Sequence, residues 1–378
     1  MTFIPDETQL ALQDSVRRFV RDRIAPTVAE DDEGGVFRKE LFREMGEMGF
    51  TALPTPEEFG GLGLGYVEYA LVLEEIARVS PAYAVTVAVN GLPQIILVQF
   101  GNDEQRERYL PRLAAAEILG GFALSEPSCG SDAAALKTTA VRDGDAYVLN
   151  GSKAWATQGH AGDLFVVMAR TGGEGAKGVS AFLVESAFDG VSFGKPEDKM
   201  GLRASHTSII NLDDVRVPVA NRLGDEGQGF VVAMQALDSG RITVGATAVG
   251  LASEALDVSV AYSRDREAFG KPIGQHQGVG FLLADMAIEI EAARLMVLQA
   301  AGLKDAGRPY SAVAAMAKCK ATDTAMRVTT DAVQVLGGYG YTREYPVERM
   351  MRDAKVMQIV EGTNQVQRIV IARQLTRD

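Results

Sequence analysis

Two changes in hydrophobic periodicity constrain the fold of this chain more than any other feature of its sequence. Residues 1–115 and 227–378 carry apolar side chains at helical spacing, whereas residues 116–226 contain short β-rich runs separated by glycine and polar residues. Within the middle region, two alternating runs flank Asp143-Gly144 and predict a hairpin. The sequence therefore predicts an α+β fold that is mostly α, with an N-terminal helical domain, a middle β domain and a C-terminal helical domain at these boundaries.

The charge balance excludes several classes of partner. The 378 residues include 38 basic and 50 acidic side chains, which give a formal net charge of −12. Because nucleic acids and anionic membranes attract basic surfaces, we expect neither as a partner. The two cysteines, Cys129 and Cys319, are too few for a disulfide framework, and the three histidines lack metal-site spacing. We therefore expect a reducing compartment and no bound metal.

One segment has nearly the length of a membrane span. Residues 83–100 carry no formal charge, but Asn90, Pro93, Gln94 and Gln99 lie among the apolar side chains. Each of these residues is costly or disruptive in hydrocarbon, so we interpret the segment as a helix buried in a protein core. The opening residues "MTFIPDETQL" lack the basic and apolar regions of a secretion signal. We expect a cytoplasmic protein that has no segment inserted in a membrane.

A single carboxylate near the C-terminus lies between two helical segments. In "IVEGTNQVQR", residues 359–368, Glu361 follows an apolar run and precedes a glycine, and no basic residue is next to it. Thr363 is placed to cap the second helix. Two interpretations are open at this point. Glu361 is either a carboxylate stabilised by the dipole of the following helix or a base whose pKa is raised by apolar surroundings.

Seven motifs, in order along nearly the whole chain, together resemble the acyl-CoA dehydrogenase family. They are "PEEFGGLGLGYVEY" (56–69), "FALSEPSCGSD" (122–132), "NGSKAWATQG" (150–159), "KMGLRASHTS" (199–208), "AFGKPIGQHQ" (268–277), "QVLGGYGYTREYPVERMMRDAK" (334–355) and "IVEGTNQVQR" (359–368). The resemblance implies an α-helical domain, a β-barrel-like domain and a C-terminal four-helix bundle. It also implies bound FAD, an acyl-CoA substrate, an electron-transferring flavoprotein as the electron acceptor and assembly as a homotetramer.

For the reaction, the resemblance implies that Glu361 is the catalytic base. It would remove the proton α to a thioester while hydride leaves the β-carbon for the flavin N5, giving a trans-2-enoyl-CoA. In the family, the thioester carbonyl accepts hydrogen bonds from the backbone N–H of the base and from a flavin ribityl hydroxyl. Gly362 would let the thioester approach the backbone. Isovaleryl-CoA dehydrogenase carries its base on an earlier helix, where this chain has Gly240, so the base is assigned to Glu361.

The resemblance also assigns further residues to the ligands. Substrate contacts are implied for Ser131, Asp238, Arg241 and Gly362, although a structural salt bridge is the alternative role of Arg241. Trp155 would cover the flavin ring and Thr157 would hydrogen-bond its N5, where a lone tryptophan would otherwise be interpreted as core. The implied FAD contacts are Phe122, Leu124, Ser125, Gly130, Ser131, Trp155, Thr157, Arg266, Phe269, Gln277, Gln334, Val335, Gly337, Gly338, Thr363, Asn364 and Gln365. Arg266, Phe269 and Gln277 would reach the FAD of a neighbouring subunit.

Other functions on the same fold remain open. A flavin oxidase or monooxygenase of the superfamily is one alternative, and a dehydrogenase acting on a carrier-protein-bound acyl chain is another. A helical protein that binds acyl groups without catalysis is the third, and Trp155, Thr157 and Glu361 argue against it. Residues 83–100 contain no arginine or lysine, which argues against a dicarboxylyl substrate, because its distal carboxylate would need a cation.

Overall fold

The computed structural model describes residues 4–376, which form helices, then a sheet, then helices again. The helices before the sheet are α1 (Glu7–Phe19), α2 (Val28–Gly34), α3 (Lys39–Glu47), α4 (Tyr66–Val79), α5 (Pro81–Phe100) and α6 (Asp103–Ala114). A π-helical turn follows α1, and the glycine-rich segment "GLGLG" is a loop that leads into α4. This order confirms the predicted mostly α, α+β fold class.

The apolar segment before the sheet forms α5, and its polar residues have specific partners. The Asn90 side chain donates to the Leu113 carbonyl and accepts from the Gly120 N–H at 2.8 Å. Gln94 accepts from the Thr55 hydroxyl at 2.6 Å and donates to the Thr51 carbonyl at 2.9 Å. These bonds tie α5 to its neighbours and satisfy polar groups that would otherwise be costly to bury.

Within residues 4–376, two helices are long and apolar enough to cross a membrane by length and composition alone. They are α5 and Gly229–Asp265, and 83% and 67% of their apolar windows, respectively, are buried inside the protein. The expectation that residues 83–100 form a core helix agrees with this burial, since α5 packs against both α4 and Gly229–Asp265.

The middle region forms one mixed sheet. Its strands are β1 (Gly120–Ala123), β2 (Thr139–Asp143), β3 (Ala146–Thr157), β4 (Leu164–Arg170), β5 (Val179–Glu185), β6 (Val191–Phe193), β7 (Thr207–Pro218) and β8 (Arg222–Leu223). The order is β6-β7-β3-β2-β4-β5-β8, and β1 pairs in parallel with β4. The predicted hairpin is confirmed, because β2 and β3 are antiparallel around Gly144, whose φ is +63°.

The last region is helical. Its elements are α7 (Gly229–Asp265), a small ribbon of β9 (Glu267–Ala268) and β10 (Lys271–Pro272), α8 (Gln277–Asp305), α9 (Ser311–Leu336), α10 (Val347–Met357) and α11 (Asn364–Leu375). Three long helices, α7 to α9, pack on one another, and the shorter α10 and α11 both pack on α9. In α8, Met286, Ile290, Ala293 and Val297 are buried at the predicted helical spacing. This packing places the loop between α10 and α11 beside α7 and α9.

Candidate active site

Glu361 lies in the short loop that joins α10 to α11, and the backbone there is unusual. The φ angles of Glu361 and Gly362 are +55° and +85°, so two consecutive residues are left-handed. A non-glycine residue in this region costs free energy and is found where the surroundings enforce it. Thr363 ends the loop by accepting a hydrogen bond from the Val366 N–H at 3.2 Å, which agrees with its expected capping role.

The Glu361 carboxylate projects onto α7 at Gly240. A Cβ atom on Gly240 would lie 2.4 Å from Glu361 Oε2 and 2.8 Å from its Cδ, distances that real atoms do not tolerate. The absence of a side chain at position 240 is therefore what allows the Glu361 carboxylate to lie against α7. Position 240, where the resemblance placed an alternative base, therefore lies against Glu361, and the role of Glu361 as the base stays a prediction.

The electrostatic surroundings of Glu361 favour its neutral form. Its Oε2 is buried and has no hydrogen-bond partner. Burial raises the pKa of Glu361 to about 7, because the charged form loses its water, while the positive charges of Arg241 and Lys318 oppose the shift. A carboxylate with such a pKa is half ionised near neutral pH, and it is then a stronger base than an exposed glutamate.

Asp238 and Arg241, one turn apart on α7, form a salt bridge beside this carboxylate. The structure therefore shows the ion pair that was the alternative role of Arg241. The salt bridge leaves one guanidinium donor without an acceptor. Arg241 is 4% exposed, and its Nε is buried and has no hydrogen-bond partner. Substrate contact by these two residues stays a prediction, and the free Nε donor is compatible with it.

Lys318 on α9 lies behind the same loop and was missed in the sequence. Its Nζ donates to the Gly362 carbonyl at 3.0 Å and to Asn364 Oδ1 at 2.9 Å. The sequence does contain a pattern that indicates this role, because Lys318 shares a helical face with three alanines. All three, Ala314, Ala321 and Ala325, are buried. A cation on a face of small buried residues indicates a specific partner.

Trp155 lies near the end of β3 in a conformation that exposes its ring. The side chain is 66% exposed, and the backbone φ is +60°, within a shift of register between β3 and β7. Thr157, two residues on, is half-buried on the same strand. An indole that the protein leaves uncovered in an enforced backbone conformation is a surface suited to a planar ligand.

The loop after β1 is joined to β3 next to Trp155. The Ser125 carbonyl accepts from the Ala154 N–H at 2.9 Å. Ser125 and Phe122 are half-buried, Leu124 is buried, and Gly130 and Ser131 are exposed. A Cβ on Gly130 would meet no atom of the chain within 4 Å, so the chain's own packing does not explain a glycine at this position.

A buried ion pair inside this loop was also missed in the sequence. Glu126 accepts from Lys153 Nζ at 2.8 Å and from the Lys137 and Thr138 N–H groups at 2.7 and 2.9 Å. These donors outweigh burial and lower the pKa of Glu126. The sequence contains only a weak signal for it, the acidic residues of one glycine- and serine-rich motif and the lysine of another. The ion pair fixes the first motif on the second.

The remaining predicted FAD residues form a second group at the far ends of α7 and α9. Arg266, Phe269 and Gln277 are exposed around the β9–β10 ribbon, and the Phe269 ring is 97% exposed. The Arg266 guanidinium lies 6.0 Å from the centre of the Tyr339 ring, which brings the ribbon next to the segment after α9. In that segment Gln334, Gly337 and Gly338 are exposed, whereas Val335 is buried.

The two residues at the start of α11 that are predicted to contact FAD differ in their exposure. Gln365 is exposed, but Asn364 is buried, and its side chain bonds to Lys318, Thr322 and Asp323. The structure therefore uses the Asn364 side chain to hold α11 on α9. Its contact with a cofactor stays a prediction.

Comparisons with known proteins cover the whole architecture. Profiles of the acyl-CoA dehydrogenase N-terminal, middle and C-terminal domains match residues 6–117, 121–215 and 227–376. The chain is 43% identical to the short-chain specific acyl-CoA dehydrogenase of Clostridium acetobutylicum over 379 residues, which is 100% of both proteins.

Solved structures of similar proteins have the same fold along the whole chain. Butyryl-CoA dehydrogenase from Megasphaera elsdenii superposes with a TM-score of 0.98 at 44% identity, with 100% of each chain covered. A chain from a structure described as the electron transferring flavoprotein of Acidaminococcus fermentans matches with a TM-score of 0.98 at 48% identity, again with 100% of each chain covered. This chain belongs to the acyl-CoA dehydrogenase family, and it is a flavoprotein oxidoreductase that dehydrogenates acyl-CoA.

Proposed function

We propose that the chain converts a short saturated acyl-CoA to the trans-2-enoyl-CoA with Glu361 as the base. The observation that carries this proposal is the buried, unpartnered Oε2 of Glu361, held against Gly240. A structural carboxylate in such a place would be expected to have donors. An oxygen without a partner, on a group whose pKa is about 7, is ready to accept a proton from a bound ligand.

The residues present fit FAD as the cofactor. The uncovered Trp155 ring offers a surface for the isoalloxazine, and the open backbone at Gly130 with the hydroxyls of Ser125 and Ser131 offers donors for phosphate and ring oxygens. Arg266 offers a forked guanidinium for a diphosphate. When bound, FAD supplies the acceptor for the hydride from the β-carbon. The dependence of the family on FAD supports this assignment.

The chain's own residues then account for the proton transfer. Glu361 Oε2 takes the α-proton, and burial keeps that carboxylate basic enough to do so near neutral pH. Gly362 has no side chain, so a thioester can approach the Glu361–Gly362 backbone. Arg241 and Lys318 hold positive charge close to the base and limit how far its pKa rises, which keeps a useful fraction ionised.

Two observations support a short, uncharged acyl group. The relatives named short-chain specific acyl-CoA dehydrogenase and butyryl-CoA dehydrogenase match the chain over its full length. In addition, α5 packs on α7. The buried residues that line these two segments include Ala84, Ala88, Leu92 and Val244. None of these four side chains could pair with a charged tail, and α5 contains no arginine or lysine.

We also propose that the enzyme is a cytoplasmic homotetramer that passes electrons to an electron-transferring flavoprotein. The Acidaminococcus fermentans match supports the acceptor. The outer face of α8 exposes Phe281, Ile288 and Leu295 at seven-residue spacing, and an apolar stripe of this kind on a helix supports packing against another copy. Cys129 and Cys319 are free, which supports a reducing compartment.

The test is anaerobic flavin reduction by a series of saturated acyl-CoAs that differ in length and branching. We expect the yellow purified protein to bleach fastest with short straight chains, and to bleach with acyl-CoA faster than with the same acyl group on carrier protein. A 2,2-dimethyl acyl-CoA is the control, since it has no α-proton and must leave the flavin oxidised.

Three results would contradict the proposal. A colourless protein that does not take up FAD would favour a binding protein without catalysis. Bleaching by the 2,2-dimethyl compound would exclude α-proton removal. Rapid re-oxidation of the reduced enzyme by oxygen, with hydrogen peroxide formed at each turnover, would favour an oxidase.

A further inference from the structure

The Lys318 ammonium is buried without a carboxylate bonded to it. The Lys318 side chain is 0% exposed, and its two hydrogen bonds go to neutral oxygens, the Gly362 carbonyl and Asn364 Oδ1. A buried charge bonded only to neutral groups is costly and is retained where it has a use. Lys153, the comparable buried lysine in the middle domain, bonds instead to the carboxylate of Glu126.

The two acceptors of Lys318 lie on either side of Thr363, in the first and third residues after Glu361. The Gln367 side chain donates to the Glu361 and Gly362 carbonyls at 2.9 and 2.7 Å, from the opposite end of the loop. Asn364 is fixed in turn by Thr322 and Asp323 on α9. The left-handed backbone of Glu361 and Gly362 is thus held by side chains from α9 and α11.

We propose that Lys318 is a positioning residue for the reaction: its ammonium holds the backbone between Glu361 and Asn364 and favours the carboxylate form of Glu361. The inference rests on the proposed role of Glu361 as the base. Lys318 touches neither substrate nor cofactor in this proposal, and it acts through the loop. Its charge is close enough to Glu361 for each of the two groups to affect the pKa of the other.

The charges around the pair determine the sign of the effect. Glu361 faces Arg241 from α7 and Lys318 from α9, and both favour its ionised form. Lys318 faces Glu361, Cys319 and Asp323, which favour its charged form, and Arg241, which does not. Burial is the larger influence and lowers the pKa of Lys318 to about 8. Because the positive charge of Lys318 favours ionised Glu361, removing that charge should raise the pKa of Glu361 above about 7.

The experiment compares Lys318→Met with Lys320→Met in the FAD-loaded enzyme. Lys320 is two residues along the same helix, with its side chain 30% exposed and paired with Glu289, so its loss should not reach the loop. For Lys318→Met, we expect the acid limb of the pH profile of kcat/KM to move up by about one pH unit. We expect kcat near neutral pH to fall about tenfold, with a smaller change in KM. Lys320→Met should match the wild type.

A second measurement is independent of turnover. Infrared titration should detect the protonated Glu361 carboxyl, identified by its loss in Glu361→Gln, and its midpoint should move up in Lys318→Met. If Lys318→Met does not fold, Lys318→Gln keeps a donor for the loop without the charge and should show the same movement of the midpoint. An unchanged pH profile and midpoint in a folded variant would overturn the inference.

The outcome can be separated from a failure of the proposed function. If Glu361→Gln keeps wild-type turnover, Glu361 is not the base and the proposed function itself is wrong. If Glu361→Gln is inactive but the Lys318 variants titrate like the wild type, only the role of Lys318 is wrong.

Discussion

Glu126 and Glu361 are both carboxylates in loops that the family resemblance assigns to one site, but their surroundings in the structure are opposite. Glu126 is 5% exposed and accepts hydrogen bonds from Lys153 and from two backbone N–H groups. Glu361 has one oxygen buried without any partner. Accordingly, the pKa of Glu126 is lowered, whereas the pKa of Glu361 is raised to about 7.

The difference separates a carboxylate that stabilises structure from one that could exchange a proton, as the proposed role of Glu361 requires. Three donors hold Glu126 ionised at neutral pH, and in that state it fixes the loop after β1 to β3 beside Trp155. Glu361 lies near two cations but bonds to neither, so it is free to change its protonation state. Burial raises the pKa of both carboxylates, and only at Glu126 do hydrogen-bond donors outweigh that effect.

The largest effect is expected for Glu361→Gln. The amide has nearly the same shape and still fits against Gly240, but it cannot accept the α-proton. We expect kcat for acyl-CoA oxidation to fall by about a thousandfold or more, with the FAD content and acyl-CoA affinity retained. Dye reduction measures turnover, and the exposed Glu344→Gln is the control. If Glu361→Gln kept an activity within a few-fold of the wild type, Glu361 would not be the base, and it would not differ in role from Glu126.

A second change should damage structure instead of chemistry. Lys153→Met leaves the Glu126 carboxylate buried without its cation, so we expect a loss of about 3–5 kcal/mol in the free energy of unfolding. Urea denaturation of the FAD-loaded enzyme measures it. The double variant Lys153→Met with Glu126→Leu removes both charges and should recover much of that loss. A single variant as stable as the wild type would show that the ion pair does not hold the loop.

Much of this arrangement could be predicted from the sequence because it depends on local patterns. The hairpin at Gly144 and the cap at Thr363 follow from rules that act over a few residues. The assignment of Glu361 came from a motif in the loop itself. The family resemblance supplied what periodicity alone did not, namely which carboxylate to propose as the base.

The missed features depend on residues that are far apart in the chain. The contact of Glu361 with Gly240 joins positions on α7 and a distant loop, and the bonds of Lys318 and Lys153 likewise cross between elements. No local rule predicts such contacts, although a lysine among buried alanines gives a hint of one. The buried side chain of Asn364 shows the same point, since its position in a cofactor motif gave no sign that it bonds to α9.

The smallest expected effect is a contrast in how stability depends on pH. The folded pKa of Glu361, about 7, is above its ordinary value of 4.5, so folding binds a proton between these values and stability falls as pH rises through that window. Glu361→Gln removes this penalty. It should therefore become more stable than the wild type by about 3 kcal/mol near pH 8, and by less than about 1 kcal/mol near pH 5.

Glu126 has the opposite sign. The pKa of Glu126 in the folded protein is below its ordinary value of 4.5. Ionised Glu126 therefore contributes its full stabilisation above pH 4.5, and this stabilisation is lost only as the pH falls through the lowered pKa. Glu126→Gln should therefore be destabilised by the same amount at pH 5 and at pH 8. Urea denaturation of both variants across this range measures the two slopes. Parallel slopes would mean that both carboxylates are held alike, and Glu361 would then have no special readiness to take a proton.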